Sequence, residues 1–347
     1  APAVPQAGPT AKNDGVENLR QVTFANEGAD FDPVISRDGS TVFFASTAHS
    51  STSDIFSKSI DGRTLTQLTT DPANDAMPAV SPDGARIAFA SNRAGNWDIY
   101  VMSSTGGQAI QITSDSAQEL RPCWSPDGRT LAYCRLSDTT GRWEIWITDV
   151  EKPAVKRFLT QGVFPDWHPT ESKILFQRSR ERGDRYFSIW TIDLVNGDAS
   201  SPTLIASSAT AAIVNPRWSQ DGQYIACATV SAPAQGAPVG RPEKSDIWIM
   251  KPDGSGRANL TGGRNVNLMP AWGPGNTVFF VTDRSGSDNI WATSSNQAIF
   301  AAGSPAPSLP TVTRSRDYSS ASPTADAGEG NLPKPALPKW MAGAPRN

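Results

Sequence analysis

The sequence predicts an all-β fold, a six-bladed β-propeller of four-stranded blades. One phrase returns six times: a proline, an aromatic or β-branched residue soon after it, an Asp-Gly turn or a variant of it, an apolar strand, and an Ile-aromatic pair. The leading prolines lie roughly 45 residues apart, at Pro33, Pro78, Pro122, Pro165, Pro216 and Pro270. Turn residues divide each repeat into about four short strands, which is the composition of a propeller blade.

The second repeat shows the four strands most clearly. The first two, at 77–81 and 86–91, flank the turn Ser81-Pro-Asp-Gly84. Proline sets φ near about −65° and glycine accepts positive φ, so this sequence favours a tight hairpin. The third and fourth strands are predicted at 97–103 and 108–113. The second strands are apolar on both sides, as expected of a sheet packed between two neighbouring blades.

Aromatic residues recur at fixed places in the repeats. Each third strand carries a polar residue, an isoleucine and an aromatic residue, as in Asp98-Ile-Tyr100, and four first strands carry a tryptophan. These rings could stack on bases or sugars, or pack between neighbouring blades. Their regular recurrence favours packing.

The last repeat lacks a fourth strand, because the polar Ser294-Ser-Asn-Gln297 stands where the other repeats have a Gln-Leu-Thr sequence. Near the N-terminus, Gln21-Val-Thr23 matches Gln67-Leu-Thr69. We expect the segment 18–25 to complete the last blade, which closes the ring and removes an open sheet edge. The predicted organisation is an N-terminal extension at 1–17, a propeller at 18–298 and an extended tail rich in Pro, Ala and Ser at 299–347.

The composition of the tail cannot bury enough apolar surface to fold alone. Within it, Lys334-Pro-Ala-Leu-Pro-Lys-Trp340-Met341 combines a polyproline-like frame with large apolar side chains. We expect Leu337, Trp340 and Met341 to anchor the tail on the propeller or on a partner. A passive linker is the alternative.

Charge and composition narrow the function classes. The formal net charge is −3 and the pI is about 5.5, so the chain lacks the basic footprint that holds nucleic-acid phosphates. No stretch approaches the roughly 18 apolar residues of a membrane span. The three cysteines have no CxxC spacing and lie in or beside apolar segments, which predicts small core residues and no cofactor. The chain begins with Ala1 and not with Met, which suggests a removed secretory signal and an extracytoplasmic location; a cytoplasmic location is the alternative.

The repeated phrase resembles the PD40 (WD40-like) repeats of TolB-type β-propellers. Ser91-Asn-Arg-Ala-Gly-Asn-Trp-Asp-Ile-Tyr100 matches such a repeat nearly throughout, and Asp283-Arg-Ser-Gly286 with Asn289-Ile-Trp291 matches it well. The resemblance covers residues 18–298 and implies a propeller without the α/β domain that precedes it in TolB. It also implies a non-enzymatic protein-binding scaffold or accessory subunit, often periplasmic, that receives partner peptides at the mouth of its central channel.

The order of strands locates that mouth. The connections into each first strand and between strands two and three share one face, and they are longer and more varied than the tight turns on the other face. Binding usually resides in such loops. The residues before the six prolines should ring the channel on this loop-rich face: Asp32, Met77, Arg121, Phe164, Asn215 and Met269. Two methionines and a phenylalanine could grip an apolar peptide, with Arg121 and Asp32 fixing its polarity; plugging of the channel is the alternative.

The sequence offers little for catalysis. It contains no G-x-S-x-G elbow, no H-E-x-x-H and no phosphate loop. It has two histidines, His49 and His168, and His168 takes the turn position that serine holds in other repeats, which favours a role in the turn. The alternative function is a metal-dependent carbohydrate-active propeller enzyme such as a lyase, which would need a cluster of histidine and carboxylate side chains at the channel mouth. Separately, Asp32 and Asp166 are candidates for a carboxylate-lined metal site on the channel axis.

Overall fold

The computed structural model describes residues 16–179, 186–195, 197–231 and 242–303, which fold into 25 strands and one helix. The strands form six antiparallel sheets. The first strand of each sheet packs against the first strands of the sheets before and after it, so the sheets close into a ring. The predicted six-bladed propeller is confirmed.

Five blades follow the predicted up-and-down order of four strands, and the fourth blade has an additional short strand. Blade one contains β2 (Asp30–Ile35), β3 (Thr41–Ser46), β4 (Asp54–Ser59) and β5 (Leu65–Gln67). Blade two contains β6 (Asp75–Val80), β7 (Arg86–Ser91), β8 (Asp98–Ser103) and β9 (Ile110–Gln111). Blade three contains β10 (Glu119–Trp124), β11 (Thr130–Leu136), β12 (Trp143–Asp149) and β13 (Lys156–Gln161).

Blade four contains β14 (Val163–Trp167), β15 (Lys173–Ser179), β16 (Phe187–Val195), β17 (Asp198–Ala199) and β18 (Thr203–Ala206). Blade five contains β19 (Ala211–Trp218), β20 (Ile225–Ser231), β21 (Ser245–Met250) and β22 (Ala258–Asn259). Blade six contains β23 (Asn267–Trp272), β24 (Thr277–Thr282), β25 (Asn289–Ser294) and β1 (Arg20–Gln21), and helix α1 (Asn296–Gly303) follows it. The extra strand β17 arises because β16 runs long and folds back on itself through the pair Leu194 and Ala199.

The N-terminal segment closes the ring as predicted. Strand β1 pairs antiparallel with β25, with Arg20 opposite Ala292. Thr23 makes a hydrogen bond that is also found in other blades, since its hydroxyl accepts a hydrogen bond from the Ile290 amide at 3.0 Å. In blade one the Thr69 hydroxyl accepts the Ile55 amide at 2.9 Å in the same way. The segment therefore replaces a fourth strand in its chemistry as well as in its position.

The tight turns between first and second strands follow from their Ser-Pro-Asp-Gly chemistry. The Ser81 hydroxyl accepts the Arg86 amide at 2.9 Å and donates to Asp83, while Gly84 takes φ 74°. His168 replaces this serine in blade four, and its Nδ1 accepts the Glu171 amide at 3.0 Å. The predicted turn role of His168 is confirmed.

The core lies between the blades. Both faces of the second strands are buried, as shown by the adjacent residues Ile87 and Ala88, because each sheet is covered on both sides. Cys123, Cys134 and Cys227 are free thiols buried in this core, as expected. Within the described part of the chain, no helix is long and apolar enough to cross a membrane.

Candidate binding site in the central channel

The first strand of every blade changes register at the same place. The shift falls across the residue that precedes the leading proline. In all six blades this residue has positive φ, with 53° at Asp32, 58° at Met77, 56° at Arg121, 56° at Phe164, 52° at Asn215 and 53° at Met269. Non-glycine residues rarely adopt such angles, at a cost of about 1–2 kcal/mol each. We call these six residues the bulge ring.

Four members of the bulge ring meet at the channel axis. Arg121 forms an ion pair with Asp32, and their side chains are 6% and 2% exposed. Because these residues belong to blades three and one, which are not neighbours, the pair crosses the channel. The Arg121 guanidinium also lies 4.3 Å from the centre of the Phe164 ring. A void of about 10 Å³ remains beside Met77, Arg121 and Phe164, so the middle of the channel is closed.

All six predicted mouth residues are buried, with exposed fractions between 2% and 9%. Asn215 is held by the preceding blade, because its backbone amide donates to Gln177 Oε1 of blade four at 2.6 Å. The structure thus places the predicted residues inside the channel, where they form its floor and not its rim. Whether they contact a partner stays a prediction.

The two carboxylates considered for a metal are each paired with an arginine. Asp32 pairs with Arg121, while Asp166 accepts from Arg217 Nη1 at 3.0 Å and from the Trp218 amide at 2.7 Å. Burial raises the pKa of Asp166, and Arg217 counteracts part of this effect. Across the described ranges, no group of three or more His, Cys, Asp or Glu side chains is arranged to hold a metal ion.

A cavity of about 200 Å³ lies at the opposite end of the channel, where the tight turns meet. We call it the turn-face cavity. The residue after each leading proline contributes to its wall: Val34, Ala79, Cys123, Asp166, Arg217 and Ala271. Four of these side chains are small, which leaves space at the axis. Leading and turn prolines and four first-strand tryptophans complete the lining.

These tryptophans pack between neighbouring blades, as the sequence predicts. The indole N–H of Trp124 donates to the Ala79 carbonyl of the preceding blade at 3.0 Å, and that of Trp272 donates to the Arg217 carbonyl at 3.2 Å. Sequence reasoning did not predict the turn-face cavity. The signal that could have revealed it is the small residue that follows four of the leading prolines, at Val34, Ala79, Cys123 and Ala271.

The loop-rich face carries buried carboxylates. Glu119, at the start of β10, is fully buried, and Lys156 Nζ and Arg135 Nε lie 3.7 and 4.0 Å from its carboxylate. Burial raises the pKa of Glu119 to about 8 and that of Asp98 to about 6. In blade two, Arg93 Nη2 contacts both Asp75 oxygens at 3.0 Å. Each of these ion pairs joins parts of a single blade.

The loops of this face at 47–53, 92–96 and 137–142 are described, whereas those at 179–186 and 231–245 lie partly outside the described residues. Loop 92–96 is fixed to the next blade, since Asn96 Nδ2 donates to the Ala117 carbonyl at 2.8 Å. Its tip, around Ala94, is exposed. The predicted tail anchors Leu337, Trp340 and Met341 lie outside the described residues.

A family described as PD40, the TolB beta propeller domain, matches residues 16–200. The chain belongs to this family. No curated protein matches it. Among solved structures, a protein of Agrobacterium tumefaciens named as a TolB is 23% identical, with a TM-score of 0.60 over 79% of this chain and 96% of that one. TolB from Acinetobacter baumannii is 22% identical, with a TM-score of 0.56 over 70% of this chain and 57% of that one.

An oligogalacturonate lyase from Vibrio parahaemolyticus is 13% identical, with a TM-score of 0.54 over 80% of this chain and 95% of that one. At these identities the likenesses concern the fold, which binding proteins and enzymes share. The fold alone therefore does not determine the function, which depends on the site.

Proposed function

We propose that this PD40 propeller is a non-enzymatic protein-binding scaffold, an accessory subunit of a periplasmic cell-envelope assembly. The pairing of charges at the channel axis carries this proposal. Asp32 is held by Arg121 and Asp166 by Arg217, so these carboxylates serve the structure. Chemistry on a substrate needs a group whose proton or lone pair is available. Recognition of an extended protein segment needs a shaped surface with loops around it.

The partner binds on the loop-rich face. The bulge ring closes the channel beneath it, so a partner segment meets a floor and does not pass through. Because the ring residues are nearly buried, most of the contact area comes from the surrounding loops, and Met77, Phe164 and the Arg121–Asp32 pair set the shape of the floor. Leu337, Trp340 and Met341 of the tail supply a second contact with the partner. TolB-type membership supports the periplasmic location.

Partner capture after chemical cross-linking of an envelope fraction tests this assignment. The triple variant Ser50→Arg, Ala94→Arg and Thr139→Arg adds three charges to exposed loops of the loop-rich face. A matched triple, Ala85→Arg, Thr105→Arg and Gln223→Arg, adds the same charges at exposed positions of the turn face. We expect the first triple to lose the captured partner and the second to retain it. Equal capture by both triples would contradict the assignment of the face.

A second measurement separates binding from metal-dependent catalysis. A ligand that binds the folded state raises the melting temperature by mass action. We expect no ion in a series of divalent metals, each at about 1 mM, to raise it by more than about 2 °C. A large increase with a single ion, lost on chelation, would favour the enzymatic alternative.

A further inference from the structure

The tail begins on the same face as the turn-face cavity. After β25, the Ser295 amide donates to the carbonyl of Asn276, in the blade-six turn, at 2.8 Å. Helix α1 then packs on β21 and β22 of blade five, with Ala298 and Ala302 buried. A Cβ atom at Gly256, in the turn between β21 and β22, would lie 2.1 Å from the Ala302 carbonyl oxygen, so the helix is seated closely on this turn. Helix α1 therefore ends at Gly303 on the turn face.

The tail is long enough to return to the axis. Residues 304–332 separate Gly303 from Pro333. A flexible chain of this length has a root-mean-square span of roughly 30 Å. The distance from a fourth strand to a first strand is roughly 15 Å, because neighbouring strands lie about 4.8 Å apart. The cavity is thus within ordinary reach of the segment 332–341.

The lining of the cavity suits a proline-rich segment. Extended Pro-rich peptides dock into grooves lined by aromatic rings, because their polyproline conformation is already formed before binding. The cavity is lined by the partly exposed Trp167 and the mostly buried Trp218, together with Pro126 and other prolines. Its volume of about 200 Å³ has room for one large side chain. Within 332–341, Trp340 is such a side chain.

Charge at the rim is compatible with this segment. Four exposed aspartates of the Asp-Gly turns lie on the same face as the cavity, at Asp38, Asp83, Asp127 and Asp221. The serine hydroxyls beside Asp38 and Asp83 lower the pKa of these carboxyls and keep them ionised. Lys334 and Lys339 of the segment can pair with such carboxylates. Arginines share the rim, so apolar contact is expected to dominate and salt to weaken binding only modestly.

We infer that residues 332–341 dock on the turn face of their own propeller, with Trp340 in the turn-face cavity and the prolines against its tryptophans. This site is separate from the loop-rich face, and it concerns where the tail lies before any partner is bound. A partner that engages the tail must first displace it. The inference stands whether or not the loop-rich face binds as proposed.

Peptide competition tests it. A fluorescein-labelled peptide of residues 332–341 is titrated with the full chain and with the variant Leu337→Ala, Trp340→Ala, Met341→Ala. In the full chain the tail competes at an effective concentration on the order of 1 mM, so we expect the variant to bind the peptide at least about tenfold more tightly. Adding Val34→Arg inside the cavity should abolish binding to the variant, whereas Thr105→Arg on the same face should not. Equal affinity for the full chain and the tail variant, or indifference to Val34→Arg, would overturn the inference.

A second measurement does not depend on a cavity substitution. A photoreactive benzoyl-phenylalanine placed at position 337 of the full chain should cross-link to tryptic peptides that contain Val34, Val80 or Trp167. The products should remain monomeric at low protein concentration. Cross-links between two chains, with a dimer that requires Trp340, would show that the tail docks on a second copy and would refute docking on its own propeller. Cross-links confined to other surfaces would refute it as well.

Discussion

The buried ion pair between Arg121 and Asp32 should be among the most sensitive points of the propeller. Arg121→Met is the cleanest perturbation, since Met77 and Met269 occupy the same position in other blades with nearly the same positive φ. The backbone strain therefore stays constant. What changes is that Asp32 loses the cation that faces it across the channel.

The structure sets the size of the effect. Both side chains are more than nine-tenths buried, and removing one partner of such a pair costs about 3–5 kcal/mol of unfolding free energy. The cation–π contact with Phe164 is also lost, worth about 2 kcal/mol when desolvated. In the variant, a contact between the new methionine and Phe164 restores about 1 kcal/mol of unfolding free energy. We expect a net loss of about 5 kcal/mol for Arg121→Met.

Asp32→Asn alone leaves the guanidinium facing a neutral amide, and asparagine tolerates positive φ. Urea unfolding at pH 7 of the parent, both single variants and the double variant forms a thermodynamic cycle. The double variant should be more stable than the sum of the single losses predicts, by at least about 2 kcal/mol, because neither charge is then left unpaired. Additive losses, or a neutral Arg121→Met, would refute the reasoning.

Three further predictions concern the ring and its blade interfaces. Deletion of residues 1–25 should lower the melting temperature by more than about ten degrees, because it opens the last blade; an unchanged melt would contradict closure by this segment. Thr23→Val should cost about 1–3 kcal/mol in urea unfolding, since the Ile290 amide loses its acceptor, and Thr69→Val in blade one is the matched control with an equal loss. Burial raises the pKa of Glu119 from 4.5 to about 8, so the folded protein keeps a proton that the unfolded chain releases above pH 4.5, and stability falls as the pH rises towards 8. Glu119→Gln removes this dependence, so its melting temperature relative to the parent should increase from about pH 5 to about pH 8; a constant difference would exclude a protonated Glu119.

The features that could be predicted from the sequence are those that depend on neighbouring residues within each repeat. The Asp-Gly turns, the apolar second strands and the Gln-x-Thr sequence depend on neighbouring residues, so a matching Thr23 far from the other repeats still indicated where the ring closes. The boundary after the last blade was harder to predict from the sequence, because α1 is stabilised by packing against blade five and has no strong sequence signal.

The conformation of the bulge ring could not be predicted from local sequence. Its members include an acid, a base, an aromatic residue and methionines, which share no preference for positive φ, so the angle is imposed by the register shift against the second strand. Arg121 and Asp32 are 89 positions apart in the sequence, so no local sequence pattern indicates that they pair. The turn-face cavity likewise depends on which small side chains from six blades face one axis.

The seam at β1 and β25 also defines how the molecule responds to force. The Ser294 amide donates to the Glu17 carbonyl at 3.2 Å, so the start of β1 and the end of β25 lie at neighbouring points on the turn face. A pull between these ends loads the hydrogen bonds of the seam one after another, as in unzipping, and not all together as in shear. The ring should therefore open at low tension from this one blade, while the loop-rich face on the other side stays assembled.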